Sequence, residues 1–296
     1  MKFSNHIPKI VVVGSSSIDL VLTTEHHPRI NETVLATQTE NFFGGKGANQ
    51  AVGASRLGAK VHFVGCVGKD TNGKHVLENL VNEGVNVNFV EENSNYPTGT
   101  AYVTSAHGKI SIIVAPAANN FITTADIDKA EAEIAEADIV LTQLEIPVEV
   151  VEYLFEICKK HNTRIGLYAS PAKFIGEDIA EKADFIVIKS NDLSVVFGEE
   201  GRDKVLKKLP NKLFIRDDTN STVYFNGEEM KYYRNAPDTI AYKMGMGDAF
   251  TSGFAIALCH GNEIDECVRF GNEVSLKASA NKGSQKGLPY LKDFSF

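Results

Sequence analysis

A glycine-flanked aspartate in the last fifth of the chain has the best placement for chemistry. In MGMGDAFTSGFAIAL (Met244 to Leu258), Gly245 and Gly247 expose backbone N–H groups at a predicted helix start, and Asp248 stands in the first turn. Aspartate is also common in a first turn simply because it complements the helix dipole. In phosphoryl transfer, such a carboxylate takes a proton from a hydroxyl while N–H groups hold the moving phosphoryl group. The motif therefore indicates either a plain helix start or a phosphotransfer site.

A second glycine cluster also lies directly before a predicted helix. NFFGGKGANQAVGASRLGA (Asn41 to Ala59) places three glycines before a predicted helix, Ala48 to Leu57. A Walker loop is excluded because Lys46 is followed by Gly47, and a dinucleotide fingerprint requires glycine where Gln50 stands. A helix entry without a ligand explains one or two glycines, but not a lysine and an asparagine in the same turn. We therefore favour a seat for an oxygen-rich ligand.

Short apolar runs predict the strands that must position these two turns. KIVVVG (Lys9 to Gly14) has the pattern of a buried first strand. Similar runs follow, with helical patterns between most of them: VHFVG (61–65), DIVLTQL (138–144), TRIGLY (163–168), DFIVIKS (184–190) and KLFIR (212–216). Helices are predicted over 71–84 and 147–160. This alternation predicts an α/β fold with a central, mainly parallel sheet flanked by helices.

Two segments interrupt the alternation and predict a second, smaller β-sheet. Residues 20–37 and 98–115 have the pattern of extended hairpins, the second turning at His107–Gly108. We expect this sheet to be a lid over the strand ends, where α/β proteins bind ligands. Because an exposed sheet edge invites pairing, a homodimer is expected to form through the lid. Another hairpin is predicted at Asn226–Gly227, and the last third is predicted to be helical over 247–260 and 264–281.

The overall composition argues against several classes of protein. The 296 residues can bury a full core, and 43% hydrophobic with 23% charged residues is ordinary for a globular chain. A net charge of −8 without a basic stripe argues against a nucleic-acid partner. We find no signal peptide and no apolar run that could span a membrane. The cysteines lack metal or disulfide spacing, which favours the cytoplasm: Cys66, Cys158, Cys259 and Cys267.

With both glycine clusters in view, nearly the whole chain resembles the ribokinase-like (pfkB) family of ATP-dependent carbohydrate kinases. GGKGANQA (Gly44 to Ala51) is similar to the N-terminal family signature, and GMGDAF (Gly245 to Phe250) to the C-terminal one. Three shorter motifs also resemble family motifs: GSSSID (14–19), PTGTA (97–101) and QLE (143–145). The resemblance implies one ribokinase-like domain over 1–296, with a lid formed from about 17–43 and 97–116.

The resemblance also implies roles for individual residues. Asp248 would be the catalytic base, with the backbone of Gly245, Met246 and Gly247 as the anion hole. The implied sugar-binding residues are Asp19, Gly44, Gly45, Lys46, Asn49, Glu145 and Asp248. The implied nucleotide-binding residues are Asn191, Arg216, Gly247 and Asn272. ATP with Mg²⁺ would phosphorylate the hydroxymethyl group of a sugar, with D-ribose the expected acceptor and no metal ligand expected from the protein.

Departures from the family pattern fall on the nucleotide side of the site. The usual D-T-x-G-A-G-D begins here with Tyr242–Lys243, and the usual N-x-x-E lacks its glutamate after Asn191. The asparagine of N-P-A-P-A is Tyr168, the turn RDDTNST (Arg216 to Thr222) lacks glycine, and Gly287 replaces a serine. Because these positions hold nucleotide and cation in the family, the sugar side is expected to be the better preserved half.

The departures predict specific consequences. Asp217 and Asp218 would repel a triphosphate, since one like-charge pair at about 4 Å costs several kcal/mol at an effective dielectric near 20. Without an aspartate at Tyr242, the monovalent-cation site is expected to be lost, and Lys243 could substitute for the cation. Three hypotheses stay open: a working sugar kinase, a catalytically impaired homologue that binds sugar as a regulator, and a nucleoside kinase.

Overall fold

A nine-stranded sheet forms the centre of the structure, a computed structural model that describes residues 1–217, 219, 221–234 and 240–295. The strands of both sheets are β1 (Lys9–Val13), β2 (Ser17–Thr24), β3 (Ala36–Gly44), β4 (Lys60–Gly68), β5 (Val85–Asn93), β6 (Thr100–Ala106), β7 (Lys109–Ala115), β8 (Ile139–Gln143), β9 (Ile165–Tyr168), β10 (Phe185–Lys189), β11 (Leu213–Arg216), β12 (Thr222–Phe225) and β13 (Met230–Tyr233). The large sheet has the order β13-β12-β11-β10-β9-β8-β1-β4-β5 and is parallel from β5 across to β11. This confirms the predicted α/β architecture.

Helices cover both faces of the large sheet, which is why its central strands are apolar on both sides. The helices are α1 (Lys46–Arg56), α2 (Thr71–Asn82), α3 (Thr124–Lys129), α4 (Glu131–Glu136), α5 (Val148–His161), α6 (Glu177–Lys182), α7 (Leu193–Phe197), α8 (Arg202–Lys208), α9 (Met246–Cys259) and α10 (Ile264–Ala278). In β1, Ile10 and Val12 face one core, with α1, α2, α9 and α10. Val11 and Val13 face the other core, with α3 to α8. Within the described ranges, no helix combines the length and apolarity that crossing a membrane requires.

Aromatic packing fixes α9, the helix whose first turn contains the candidate catalytic aspartate. Phe254 of α9 lies between Phe185 of β10 and Phe214 of β11, with ring centroids 4.6 Å apart in both pairs. All three side chains are fully buried. Truncating a buried phenylalanine typically costs about 3–5 kcal/mol, so this cluster holds the helix firmly against the sheet. The position of the α9 N-terminus is therefore set by the core.

The smaller sheet has the order β3-β2-β6-β7, as the two predicted hairpins require. β2 and β6 pair in parallel at its centre, and each pairs antiparallel with its own hairpin partner. His107 and Gly108 form the predicted turn, with positive φ angles of 49° and 72°. The first hairpin differs from the predicted 20–37 segment, because its return strand runs from Ala36 to Gly44 and brings the chain directly into α1.

Candidate active site

A cavity of about 310 Å³ lies where the carboxyl ends of the central parallel strands meet the N-termini of α1 and α9. This is the edge at which open α/β sheets bind ligands. The two helices open in the same way, on Gly45 with φ +87° and on Gly245 with φ +75°, a region of backbone conformation that glycine tolerates best. Both glycine clusters of the sequence therefore line one cavity, together with aliphatic side chains of β7.

Asp248 is buried at the base of this cavity, in the first turn of α9. Asn49 Nδ2 donates to its Oδ2 at 2.9 Å, and Gln50 Nε2 donates to its Oδ1 at 3.2 Å. Burial raises the pKa of Asp248 to about 6, although Lys46 and the two amides favour its ionised form. A carboxylate with this pKa is ionised at neutral pH and still basic enough to accept a proton from a hydroxyl.

An amide relay supports Asp248 from behind. Gln143 Nε2, at the end of β8, donates to Gln50 Oε1 at 2.8 Å, and Gln50 in turn donates to the aspartate. Both glutamine side chains are fully buried. Since a buried amide is costly to leave unpaired, this relay holds the carboxylate in one orientation. Asn49 Oδ1 is buried in the cavity wall with no partner in the described ranges, which leaves an acceptor for a ligand hydroxyl.

An ion pair links the start of α1 to the end of β8. Lys46 Nζ lies 2.8 Å from Glu145 Oε1, and Glu145 Oε2 accepts from the Lys46 backbone N–H at 3.1 Å and from the Ser15 hydroxyl. Burial raises the pKa of Glu145, but the Lys46 charge and these hydrogen bonds outweigh it and hold the pKa below its usual value. Glu145 is thus an ionised acceptor in a largely buried position.

Asp19 supplies a second buried carboxylate, on β2 of the small sheet. Its Oδ1 accepts from Ser17 Oγ at 2.9 Å, and its Oδ2 from Ser284 Oγ at 3.4 Å. Burial raises the pKa of Asp19 to about 6. Gly44 packs directly behind it, and a Cβ there would lie 2.1 Å from Asp19 Oδ1, so only glycine fits. Asp19, Asn49 and Glu145 together present oxygen acceptors to one space, as a polyhydroxylated ligand requires.

Cationic and phenolic groups line the other end of the cavity. Lys189 and Lys243 reach it from the ends of β10 and the segment before α9, and Tyr168 reaches it from β9. Arg216 is buried beneath the α9 N-terminus, where its Nη1 donates to the Met246 carbonyl at 2.8 Å. Burial lowers the pKa of Arg216 to about 10, so the guanidinium remains charged at neutral pH. Asp217, next to Arg216, also lines the cavity, so three cationic side chains outnumber one carboxylate here and the balance of charge suits an anion.

Four predicted residues do not line the cavity. Gly44 lies behind Asp19, and the Met246 side chain points into the core. Asn191 lies in an exposed turn two residues after Lys189. Asn272 is buried on α10, where its amide donates to Val268 and accepts from Thr222. The structure therefore brings Arg216 and Gly247, but neither Asn191 nor Asn272, to the expected nucleotide end.

Asp217 has a structural role in the turn after β11. The sequence indicated only that this turn lacks the glycines of the family pattern. Its Oδ1 accepts from the backbone N–H of Thr219 at 2.8 Å, from the Thr219 hydroxyl at 2.7 Å and from the Ser221 N–H at 3.0 Å. The aspartate therefore closes the turn after β11 through its side chain. Asp218, the second acidic residue expected here, lies outside the described residues. No group of three or more His, Cys, Asp or Glu side chains in the described ranges is arranged to hold a metal ion.

Several residues of the cavity and of the support behind Asp248 were not predicted from the sequence. Ser15 follows the carboxyl end of β1 and Lys189 ends β10, so their place at the carboxyl ends of strands was a signal that could have identified them. Gln50 and Gln143 lie inside quoted motifs but were given no role. Ser284 meets Asp19 across 265 positions of sequence, and no local pattern indicates such a contact.

Fold and site together define a class of protein. It is an α/β protein with a buried carboxylate at a helix N-terminus. On one side of the carboxylate lie the hydroxyl-binding acceptors Asp19, Asn49 and Glu145 (the polyol seat), and on the other lie the cations Lys189, Lys243 and Arg216 (the cationic end). The comparison with known families agrees, because the model of the pfkB family carbohydrate kinases matches residues 7–290. The chain belongs to the pfkB family of carbohydrate kinases.

Individual kinases are similar to this chain over nearly its whole length. A ribokinase of Bacillus subtilis is 36% identical over 280 residues, covering 95% of this chain and 96% of that protein. A deoxyribokinase of Salmonella typhimurium is 29% identical over 300 residues, covering 96% and 97%. Among solved structures, the Arabidopsis thaliana ribokinase complexed with ribose and ATP has a TM-score of 0.84 at 28% identity, covering 97% of both chains.

Proposed function

We propose that this protein transfers the γ-phosphoryl group of ATP to the hydroxymethyl group of a sugar, with D-ribose as the preferred acceptor. The single observation that carries the proposal is the position of Asp248, which is buried in the first turn of α9 and faces both a polyol seat and a cationic end of one cavity. The ribokinase named above, 36% identical along almost the whole chain, supports ribose as the acceptor and ATP as the donor.

The sugar is held at the seat between the small sheet and α1. Asp19, Glu145 and Asn49 Oδ1 accept hydrogen bonds from its hydroxyls, and Lys46 donates to a sugar oxygen while it keeps Glu145 ionised. Gly45 lets the backbone approach the ring closely. In this proposal Gly44 contributes indirectly, because its missing side chain makes room for the Asp19 carboxylate.

Asp248 acts as the general base. Its carboxylate, oriented by Asn49 and Gln50, takes the proton of the sugar hydroxymethyl group as the oxygen attacks phosphorus. The first N–H groups of α9, from Met246 to Asp248, have no acceptor within the helix and stabilise the charge on the transferring group. ATP supplies that group, and the Mg²⁺ that accompanies it neutralises part of the phosphate charge.

The nucleotide end relies on cations specific to this chain. Lys189, Lys243 and the buried Arg216 supply positive charge where the family pattern is altered, and Gly247 allows close approach of a phosphate. Asn191 and Asn272 are kept in the proposal only as supports of this end, since neither lines the cavity. The monovalent-cation site is proposed to be lost, with the Lys243 ammonium in its neighbourhood.

The small sheet is proposed to act as a lid and as a dimer interface in the cytoplasm. β7 is an edge strand, and Ile113 and Val114 on it are 73% and 47% exposed. Such an edge is a template for pairing with a second copy. Sedimentation at micromolar concentration should give a dimer for the wild type and a monomer for Ile113→Lys. A wild-type monomer at that concentration would contradict the interface.

A coupled assay of ADP release tests the proposed activity against its alternatives. Magnesium-dependent turnover should be fastest with D-ribose in a panel that includes 2-deoxy-D-ribose, hexoses and nucleosides. Faster turnover of a nucleoside than of D-ribose would support the nucleoside-kinase alternative instead. The altered nucleotide end favours one further alternative, a sugar-binding regulator, which calorimetric binding of ribose without any turnover would support.

A further inference from the structure

The Tyr168 hydroxyl lies directly against the backbone of the α9 N-terminus. Tyr168 ends β9 and is only 4% exposed, yet it lines the cavity. A Cβ added to Gly247 would lie 2.2 Å from the Tyr168 hydroxyl oxygen and 2.5 Å from Cζ, so the phenol occupies the space beside the glycine. Any side chain at Gly247 would displace it. The hydroxyl therefore borders the same turn whose N–H groups face the cavity.

The Tyr168 side chain lines the cavity, and its hydroxyl has no internal use in the part of the chain that the structure describes. Within the described ranges it has no hydrogen-bond partner, whereas the buried Tyr224 hydroxyl donates to Asp265 at 3.2 Å. A tyrosine hydroxyl that borders a cavity and has no partner in the fold keeps its O–H available for a ligand. The partner missing from the fold is supplied when a ligand with an oxygen acceptor enters the cavity.

The surrounding charges specify an anionic acceptor. Burial acts most strongly on the pKa values of Lys46 and Arg216, and the Tyr168 oxygen also affects both. The hydroxyl therefore lies near the partly buried Lys46 ammonium and the buried Arg216 guanidinium. Lys46 is committed to Glu145 and Arg216 to the Met246 carbonyl. An O–H group beside two cations and unpaired N–H groups is placed to donate to a phosphoryl oxygen.

We propose that Tyr168 is a catalytic residue that donates a hydrogen bond to the transferring phosphoryl group beside the α9 N-terminus. The inference rests on the proposed phosphotransfer and adds a side-chain donor to its backbone anion hole. Because charge on the transferring oxygens is concentrated in this place only during transfer, the hydrogen bond is stronger in the transition state than with ADP or with the sugar alone. Tyr168 therefore acts on turnover and not on substrate affinity.

Tyr168→Phe tests the contact because it removes one oxygen and keeps the ring against Gly247. We expect kcat for ribose to fall about 10- to 100-fold, the effect of one hydrogen bond to a charged group, with the KM for ribose changed less than about two-fold. In calorimetry, the ribose-bound variant should bind ADP like the wild type but bind ADP with aluminium fluoride and Mg²⁺ about tenfold or more weakly. Tyr224→Phe, a buried tyrosine distant from the cavity, is the matched control and should leave both measurements unchanged.

Equal affinity of wild type and Tyr168→Phe for ADP with aluminium fluoride would overturn the contact, even if turnover changed. A Tyr168→Asn variant more active than the wild type would also overturn it, because the phenol would then be an obstruction. A wild-type protein that phosphorylates no sugar would refute the proposed function instead. In that case the proposed contact of Tyr168 is tested by comparing the affinity of wild type and Tyr168→Phe for inorganic phosphate. Equal affinity would overturn the contact.

Discussion

Replacing Asp248 by asparagine should lower activity and raise stability at the same time. The asparagine keeps the shape of the side chain but cannot take the proton of the sugar hydroxyl, so kcat should fall by about 10²- to 10⁴-fold, the usual range for a general base. The fold, in contrast, gains from the change, because ionised Asp248 is buried and its pKa of about 6 lies above the ordinary 3.8. Active-site groups commonly cost stability in this way.

The size of the stability gain follows from the pKa and the hydrogen bonds. At about 1.4 kcal/mol per pKa unit, the difference between 3.8 and about 6 makes the ionised carboxylate destabilising by about 3 kcal/mol. Asparagine offers one acceptor where the carboxylate offers two, so one of the donors Asn49 and Gln50 loses its partner at a cost of about 1–3 kcal/mol. The net gain in the free energy of unfolding should be about 0–2 kcal/mol at pH 8.

Urea unfolding at several pH values measures this gain. Because the folded pKa is raised, the wild type has its full stability from this group below pH 3.8 and loses it as the pH rises through about 6. The advantage of Asp248→Asn should therefore be largest at pH 8 and shrink between pH 6 and pH 4. Asp19→Asn is the matched control. Because the pKa of Asp19 is also about 6, this variant should be stabilised similarly, but its kinetic defect should be a higher KM for the sugar.

Two results would refute the reasoning. If Asp248→Asn were as active as the wild type, the carboxylate would not be the base. If the variant were inactive but less stable than the wild type at pH 8, Asp248 would be a structural residue whose loss damages the helix start, and the fall in activity would carry no mechanistic weight.

Three further predictions concern the same cavity. Asn49→Ala or Asp19→Ala should weaken ribose binding by roughly 1–3 kcal/mol in calorimetry, the cost of unpairing a buried polar contact, and unchanged affinity would remove the sugar seat. The kcat/KM for ribose should fall below about pH 6 with a slope between one and two, because Asp248 and Asp19 both lose their charge there; a flat profile down to pH 5 would contradict this. Activity should be nearly indifferent to potassium if the monovalent-cation site is lost as proposed, because Tyr242 stands where the family pattern has an aspartate. Several-fold activation over a choline control would contradict the proposed loss.

The sequence predicted the buried elements of the fold better than its edges. KIVVVG and DFIVIKS were identified because strands covered on both faces are continuously apolar. β5, in contrast, is an edge strand with the sequence VNVNFVEEN. Only its first residue is fully buried, two glutamates lie near its end, and no strand was predicted there. The first hairpin was placed too early because its return strand, ATQTENFFG, is mostly polar and exposed.

The candidate site was predictable in its motifs but not in its pairings. The two glycine turns carry local signals, since few residues other than glycine tolerate the conformations of Gly45 and Gly245. The hydrogen bond from Asn49 to Asp248 joins residues 199 positions apart, and only the crossing of α1 and α9 over one sheet brings them together. The Asp217 turn was likewise missed, because a side chain there replaces the expected glycine geometry.

Identification of the product tests the central claim most directly. Phosphorus NMR of the wild-type protein with ATP, Mg²⁺ and D-ribose should show ADP and one new phosphomonoester on the ribose hydroxymethyl oxygen, formed at least about 100-fold faster than by Asp248→Asn. The same mixture with 5-deoxy-D-ribose, which lacks the accepting hydroxyl, should give no sugar phosphate. A phosphomonoester at another oxygen, equal yield from the two proteins, or no sugar phosphate from wild type and ribose would contradict the account.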